Sequence, residues 1–266
     1  MYQTIRYEKN GNIGIATINR PEALNALNST VISELEQVIA EVEKDAELGA
    51  FIITGEGRSF VAGADIGEQY PLDVAGGRKW GQRGSALFRR IEKLEIPTIA
   101  AVNGFALGGG CELATGLRHH SGCALRRGQG WRQVRSARGG PGYHSRLLWH
   151  PASAPSGGHR QGQGADLFSG KTIGAAEAKE IGLVNAVYPP EELMNGAIAM
   201  AKSFTANAPI AVKYAKACID RGMQMDIDDG IALENELFAM CFATADQKEG
   251  MGAFLEKRKE KHFQNK

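Results

Sequence analysis

The chain has 266 residues, of which 43% are hydrophobic and 23% charged, and its formal net charge is +1. A balance this close to neutrality argues against a general attraction to nucleic acid or to a membrane surface. We find no apolar run of about 18 residues or more and no signal peptide at the start, so we expect a soluble cytoplasmic protein. The length suffices for one large domain or for a domain with a smaller appendage.

The first elements are predicted from periodicity. Apolar and polar residues roughly alternate from Ile5 to Asn19 around an Asn-Gly-Asn turn, a pattern typical of a β-hairpin. Residues 20–28 form a loop by their proline and asparagine content. After Ser29, a candidate N-cap, apolar residues recur at helical spacing and predict a helix of about four turns. They are Val31, Leu35, Val38, Ile39 and Val42.

Two stretches each place small residues directly after a predicted strand. The strand 50–54 leads into the small residues of segment 59–66, and the strand 99–102 leads through an Asn-Gly turn to Gly108-Gly109-Gly110. Three consecutive glycines indicate that the backbone comes close to another group. The two loops could therefore each supply one N–H group to the same oxygen atom.

Glu112 follows the glycines and lies in the first turn of a predicted helix. A helix start offers unpaired N–H groups and a partial positive charge, which can hold a carbonyl oxygen as it gains negative charge. The neighbouring carboxylate can move protons, so the layout is a catalytic one. The alternative is a glycine-rich turn followed by a glutamate that the helix dipole favours.

Four motifs, in this order along most of the chain, resemble those of the crotonase, or enoyl-CoA hydratase, superfamily. They are Asn19–Leu27, Phe60–Ile66, Pro97–Leu113 and Ser169–Val184. The resemblance implies an α/β fold in which a ββα spiral core occupies residues 1–190. It also implies a C-terminal helical trimerisation region over residues 191–266.

The resemblance further implies a site and a reaction. The backbone N–H groups of Ala64 and Gly109 would form an oxyanion hole for an acyl-CoA thioester, and Glu112 would be one of two glutamates that move protons. The reaction would be reversible syn addition of water to a trans-2-enoyl-CoA, with the CoA thioester as substrate and no cofactor or metal. Residues lining the substrate path would be Ala23, Leu24, Ala26, Ala62, Gly63, Asp65, Ile66 and Gly108.

Residues 116–166 depart from the family in composition. They contain no Ile, Phe, Lys, Glu or Met, but eight of the arginines, eleven glycines and five of the six histidines. Composition alone suggests a basic RNA-binding arm or a metal-binding segment. A metal site is disfavoured because the histidines lack accompanying carboxylates and a recognisable ligand spacing. The four cysteines are widely spaced without a C-x-x-C pair, which favours reduced thiols.

The genetic code explains this segment better. If each codon from Val134 to Phe168 is read one base later, the permitted residues resemble the family's own sequence and run straight into Ser169. We infer that residues from about 116 to 168 are translated out of frame. The second family glutamate then falls on the shifted codon spanning Arg138 and Gly139, so the printed chain lacks it. The shift is either an error in the determined sequence or a property of the protein itself; we favour the error.

The remaining sequence predicts a short helix over residues 173–181, a strand over 183–188, and then helices over 191–205, 209–221, 227–244 and 247–257. Their apolar faces indicate a partner surface, and the resemblance implies a homotrimer or a homohexamer. Lys257 is a candidate CoA contact in an adjacent subunit, although a solvated basic tail is the simpler interpretation.

Three functions stay open at this stage. The leading one is hydration, a rival is another reaction of the superfamily such as double-bond isomerisation, and a third is a non-catalytic CoA-binding or RNA-binding scaffold. The sequence leaves the acyl chain length open, because the conformation of the loop predicted for residues 69–83 could not be derived.

Overall fold

The computed structural model describes residues 2–116, 123–126, 134–135, 172–180, 182–222 and 224–266. For residues 115, 116, 123–126 and 134–135 it describes the backbone alone. Nearly all of the segment inferred to be out of frame therefore lies outside the described residues.

A six-stranded sheet forms the centre of the fold, in the order β1-β2-β3-β5-β7-β9. Its first two strands form the antiparallel hairpin expected from the alternating pattern, and the others pair in parallel. The strands are β1 (Ile5–Asn10), β2 (Ile13–Ile18), β3 (Ala50–Gly55), β5 (Thr98–Val102), β7 (Cys123–Arg126) and β9 (Ala186–Tyr188).

A second, three-stranded parallel sheet has the order β4-β6-β8. Its strands are β4 (Ser59–Val61), β6 (Phe105–Leu107) and β8 (Val134–Arg135). Successive strands alternate between the two sheets: β3, β5 and β7 lie in the first, and β4, β6 and β8 in the second. This alternation is the expected ββα spiral.

The helices are α1 (Ser29–Lys44), α2 (Ile66–Gln69), α3 (Val74–Glu92), α4 (Gly109–Gly116), α5 (Ala175–Glu180), α6 (Leu193–Thr205), α7 (Pro209–Gly222), α8 (Ile227–Cys241) and α9 (Ala245–Leu255). Short 3₁₀ turns cover Pro21–Ala23 and Pro190–Glu192. In the part of the chain that the structure describes, no helix is long and apolar enough to cross a membrane.

The central strands β2, β3 and β5 of the large sheet are buried on both faces, which is why they are largely apolar, whereas the edge strand β1 is mostly exposed. Along β3, Phe51 and Ile53 belong to a core shared with α1, α3 and α4, while Ala50 and Ile52 pack with α6 on the other face. In the second core, α6 contributes Leu193 together with the small side chains Ala197 and Ala201.

Three sequence expectations need correction. The N-cap of α1 is Asn28, whose side chain accepts a hydrogen bond from the amide of Val31, and Ser29 is the first helical residue. Residues 69–83 are largely helical, because the last residue of α2 and the first ten residues of α3 fall there. Glycines at positions 76, 77, 81 and 84 lower the helix propensity of α3, and its cap, Asp73, bonds the amide of Gly76. The C-terminal helices α6, α8 and α9 have bounds that differ from the predicted ones by two or three residues.

Candidate active site

The site is built where two neighbouring strands of the small sheet end. Strands β4 and β6 are parallel, with Ser59 opposite Phe105 and Val61 opposite Ala106. The loop 62–65 follows β4 and Gly108 follows β6, so both begin at the same edge of the sheet. Ligands bind preferentially at such carboxyl edges, where backbone amides at strand ends and helix starts are still unpaired.

Leu27 orients the backbone around Ala64. Its amide donates to the carbonyl oxygen of Gly63 at 2.8 Å, and its carbonyl accepts from the amide of Asp65 at 2.8 Å. These two bonds form the parallel bridge between Leu27 and Ala64. Because a peptide unit is planar and trans, a Gly63 carbonyl that faces Leu27 turns the N–H of Ala64 to the opposite side. That N–H is thereby directed away from the loop 20–27.

Glycine is required at position 63 for two reasons. Its φ is +113°, a conformation that L side chains rarely adopt, and a Cβ there would lie 3.3 Å from the carbonyl oxygen of Leu107. The loop after β4 thus contacts the end of β6 directly. Leu27 also reaches the second loop, since its Cδ1 atom is 3.3 Å from the position that a Cβ on Gly109 would take.

Helix α4 starts against strand β4. A Cβ on Gly110 would lie 2.0 Å from the carbonyl oxygen of Val61, so the helix can approach this closely only with glycine there. Gly108 has a φ of +51° and accepts the amide of Glu112 at 2.9 Å, which makes it the residue before the first turn. Gly109 is the first helical residue, and its amide is one that a helix leaves without an intrahelical partner.

Glu112 lies three residues after Gly109 in the first turn of α4. Because Cα–Cβ bonds in a helix tilt toward its N-terminus, the Glu112 side chain leans toward the end of α4 where the Gly109 amide lies. Glu112 is half-buried. Together, the arrangement can hold a carbonyl oxygen with backbone amides beside a carboxylate.

The loop 20–27 is held by the buried Asn25. Its side-chain amide donates to the carbonyls of Glu56 at 3.0 Å and Ser59 at 2.7 Å, and its side-chain oxygen accepts from the amide of Arg20 at 2.9 Å. Asn25 has a φ of +58°, which asparagine tolerates better than most residues. Sequence reasoning assigned no role to Asn25.

An ion pair also lies here. Arg20 donates to Asp65 Oδ2 at 2.6 Å, and this hydrogen bond holds the pKa of the Asp65 carboxyl below its ordinary value. The other oxygen of Asp65 caps α2 by accepting the amides of Gly67 and Glu68. The loop motif Asn-Arg-Pro marks Arg20 in the sequence, but its partner is 45 residues away and becomes visible only in the fold.

The structure brings most of the expected site residues together. Ala23 ends the 3₁₀ turn, Leu24 accepts the amide of Ala62 at 3.1 Å, and Ala26 accepts from Arg20. Ile66 is 77% exposed at the start of α2. Lys257 follows α9 and is exposed. Among the described residues, it takes no part in the hydrogen bonds that link the other expected site residues. The expected second glutamate position, at Arg138 and Gly139, lies outside the described residues.

No group of three or more His, Cys, Asp and Glu side chains that could hold a metal ion occurs within the described ranges. The histidines considered as ligands from composition, at positions 119, 120, 144, 150 and 159, fall in the part that is not described.

The chain is similar in sequence to characterised families over most of its length. A family model described as enoyl-CoA hydratase/isomerase matches residues 8–116 and 156–266. The unmatched interval lies inside the segment inferred to be out of frame, although the match resumes before residue 168. A short-chain-enoyl-CoA hydratase of Clostridium acetobutylicum is 45% identical, and a crotonyl-CoA hydratase of Syntrophomonas wolfei is 40% identical; each alignment covers 97% of both chains.

Solved structures agree. An enoyl-CoA hydratase from Geobacillus kaustophilus has a TM-score of 0.87 at 30% identity, covering 100% of this chain and 99% of its own. One from Bacillus anthracis has a TM-score of 0.87 at 27% identity, covering 99% of this chain and 100% of its own. The resemblance predicted from the four motifs is therefore confirmed, and the chain belongs to the enoyl-CoA hydratase/isomerase family.

Proposed function

We propose that the protein catalyses reversible syn addition of water to a trans-2-enoyl-CoA such as crotonyl-CoA, giving a 3-hydroxyacyl-CoA. The observation that carries this proposal is the Leu27–Ala64 bridge, which lies beside the start of α4. The bridge turns the amide of Ala64 away from the loop 20–27, and the amide of Gly109 is available at the start of α4. The names and identities of the hydratases from Clostridium and Syntrophomonas support the reaction class.

In this proposal, the thioester oxygen accepts hydrogen bonds from the amides of Ala64 and Gly109. Moving a proton at the α-carbon of a thioester makes an enolate-like transition state, and its negative charge accumulates on that oxygen. Donors fixed before the reaction stabilise this charge without reorganising, and loss of one such donor typically costs about 10²- to 10³-fold in rate. The reaction draws on the CoA thioester as substrate and on no cofactor.

Glu112 is the proton-transfer group of this proposal. Glu112 lies in the first turn of α4 and its side chain leans toward the helix start, where the Gly109 amide would hold the oxygen. The substrate path follows Ala23, Leu24, Ala26, Ala62, Gly63, Asp65, Ile66 and Gly108. Lys257 would contact the CoA of an adjacent subunit.

The test is the hydration of crotonyl-CoA, followed by loss of the absorbance of its conjugated thioester. Glu112→Gln should lower kcat by about 10²- to 10⁴-fold, the usual range for an acid/base group. Glu177→Gln, in α5, is the matched control and should keep the wild-type rate. An active preparation whose rate is unchanged by Glu112→Gln would refute the role of Glu112.

Double-bond isomerisation is a second candidate, favoured by one feature of the printed sequence. Glu112 is the single member of the expected glutamate pair that the sequence contains. Moving a proton between two carbons needs fewer acid/base groups than adding water. Product analysis separates the two reactions, since hydration gives a 3-hydroxyacyl-CoA and isomerisation of a 3-enoyl-CoA gives a 2-enoyl-CoA.

We also propose a cytoplasmic homotrimer or dimer of trimers assembled through the helices from residue 191 onward, with residues 1–190 as the spiral core. Helix α8 has no buried residue, and Phe238, Met240 and Phe242 on it or just after it are 62%, 52% and 43% exposed. Apolar surface of this kind is typical of an interface. Sedimentation velocity should give a trimer or hexamer mass, and a monomer would contradict the assembly.

A further inference from the structure

The mostly buried ion pair between Arg20 and Asp65 lies next to the Leu27–Ala64 bridge. One nitrogen of the Arg20 guanidinium, Nη1, lies 2.6 Å from Asp65 Oδ2 and 3.1 Å from the carbonyl oxygen of Ala26. The side chains of Arg20 and Asp65 are 22% and 19% exposed. Arg20 therefore donates hydrogen bonds to Ala26, the residue before Leu27, and to Asp65, the residue after Ala64.

Asp65 is held on several sides at once. Its backbone amide donates to Leu27, one side-chain oxygen accepts from Arg20, and the other accepts the amide of Gly67 at 2.9 Å. A charge-assisted hydrogen bond to a partly desolvated carboxylate is among the stronger kinds in proteins. Asp65 thus has little freedom to rotate relative to the loop 20–27.

This restraint bears on the direction of the Ala64 amide. The peptide planes on either side of Ala64 are each bonded to Leu27, one through the Gly63 carbonyl and one through the Asp65 amide. If Asp65 shifts, the second bond lengthens and the bridge loosens. Because the Gly63–Ala64 unit is planar, any rotation of it changes where the Ala64 N–H is directed.

We propose that Arg20 is a positioning residue for the oxyanion site: through Ala26 and Asp65 it holds the Leu27–Ala64 bridge and with it the direction of the Ala64 N–H. The inference rests on the proposed function and extends it to a residue that acts through the backbone without contacting the reacting atoms. A guanidinium suits the task, because the two N–H bonds of Nη1 are fixed in the plane of the group and so point at Asp65 and Ala26 in set directions, while a lysine ammonium rotates on a flexible stem.

Two other roles for Arg20 make different predictions. If Arg20 bound the CoA moiety directly, its loss would weaken binding and raise KM. If it stabilised the fold alone, its loss would lower the melting temperature while the bound thioester stayed polarised. A positioning role instead lowers kcat and the polarisation of the carbonyl, with KM nearly unchanged.

The experiment uses the full chain and butyryl-CoA carrying ¹³C at the thioester carbonyl, a saturated ligand that cannot be hydrated. Infrared difference spectra of free and bound ligand report the carbonyl stretching frequency, which falls as hydrogen bonds polarise the group. The variants are Arg20→Gln, Arg20→Lys and Asp65→Asn. Arg90→Gln is the matched control, since Arg90, on α3, makes an arginine–carboxylate pair with Glu43 on α1, away from Asp65 and the loop 20–27.

Wild type and Arg90→Gln should show the same shift to lower frequency. Arg20→Gln and Asp65→Asn should lose most of this shift while their Kd for butyryl-CoA changes less than about threefold. Hydration of crotonyl-CoA should fall in kcat by about 10- to 100-fold in these two variants, part of the cost of losing a whole donor. Arg20→Lys should restore part of both signals. If Arg20→Gln does not fold, Asp65→Asn gives the same comparison at the other end of the pair.

The outcomes separate the two proposals. A full carbonyl shift in Arg20→Gln and Asp65→Asn, with a normal shift in wild type, overturns the positioning role and leaves the proposed function standing. A raised Kd with an unchanged shift also overturns it, in favour of direct CoA binding. Failure of the wild type to bind butyryl-CoA or crotonyl-CoA refutes the proposed function, and the positioning role with it.

Discussion

Gly110 lies so close to Val61 that a Cβ on the glycine would be 2.0 Å from the Val61 carbonyl oxygen and 2.7 Å from the Val61 Cβ. The carbonyl oxygen and the carbonyl carbon of Val61, the carbon at 2.9 Å, belong to the backbone of the buried strand β4. They cannot move aside as the end of a flexible side chain would. This contact sets the distance between the start of α4, with Gly109 and Glu112, and the strand that leads to Ala64.

Gly110→Ala should therefore displace α4 and weaken the site. We expect a loss of about 1–3 kcal/mol in the free energy of unfolding, the usual cost of overpacking, and a loss of crotonyl-CoA hydration larger than the loss of folded protein accounts for. Denaturant titration and a rate measurement on the folded fraction test this.

Gly77→Ala is the matched control for that substitution. Gly77 lies within α3, and a Cβ there would have no heavy atom within 4 Å. Alanine is the better helix former by about 1 kcal/mol, so this variant should be more stable than wild type with an unchanged rate. Equal stability and activity for Gly110→Ala and wild type would contradict the close contact.

Asn25→Ala should destabilise the fold. It removes hydrogen bonds to the carbonyls of Glu56 and Ser59 and to the amide of Arg20, at a residue that is fully buried. Each buried group left unsatisfied costs about 1–3 kcal/mol, and alanine also disfavours the φ of +58° found there.

Asn25→Gly separates the two causes, since glycine adopts this conformation without steric cost. It should lose less stability than Asn25→Ala, and the remaining loss then reports the hydrogen bonds. Chemical denaturation measures both variants. An Asn25→Ala protein within about 0.5 kcal/mol of wild type would show that the loop does not depend on this side chain.

The C-terminal segment should be sensitive to acid. Two hydrogen bonds from Arg258, at 2.9 and 3.0 Å, and the amide of His262 lower the pKa of Glu249 to about 2. A carboxyl whose pKa is lower in the folded state than its ordinary value of 4.5 contributes stability above that value, and the contribution is lost as the pH falls toward 2. The protection of the His262 amide against hydrogen exchange, measured relative to the intrinsic rate at each pH, should therefore fall across this pH range.

Glu249→Gln should show fast exchange at His262 already at neutral pH, with a weaker dependence on pH below 4.5. Glu256→Gln is the matched control, because Glu256 also contacts Arg258 but its loss leaves both Glu249 hydrogen bonds in place. Exchange at His262 that is the same in wild type and Glu249→Gln at every pH would contradict this anchoring.

The inference that residues from about 116 to 168 are out of frame can be tested by the mass of the protein. We expect protein made from the native gene to depart from the 28.6 kDa of the printed chain, and peptides from the region of Val134 to Phe168 to match the shifted reading. They should include a glutamate from the codon spanning Arg138 and Gly139. Intact-mass measurement with peptide mapping tests this.

A mass equal to that of the printed chain would refute a sequence error. The protein would then lack one acid/base group, and hydration should be slower by about 10²- to 10⁴-fold than in a variant that carries the glutamate. Sequencing the coding DNA between Glu112 and Ser169 gives an independent answer.

The fold was predictable from the sequence where periodicity and motif agreed. The N-terminal hairpin, the helix after residue 28 and the two strands that precede small-residue loops follow from local patterns, because burial on one face or both imposes a period that neighbouring residues share. The helix α3 was missed, since its glycines hide the helical propensity while its apolar residues Leu87 and Ile91 are concentrated at its end.

What the sequence by itself determined was the family, the two candidate amide donors and the candidate proton-transfer group. Ala64, Gly109 and Glu112 stand in motifs whose glycines and small residues recur after predicted strands. The tertiary structure decided how these residues are held. Leu27 bonds both peptide planes around Ala64, Gly110 contacts Val61, and Arg20 pairs with Asp65. Each of these contacts joins residues 36 to 49 positions apart. Such contacts leave no local period in the sequence, because they depend on the parallel pairing of strands that are distant along the chain.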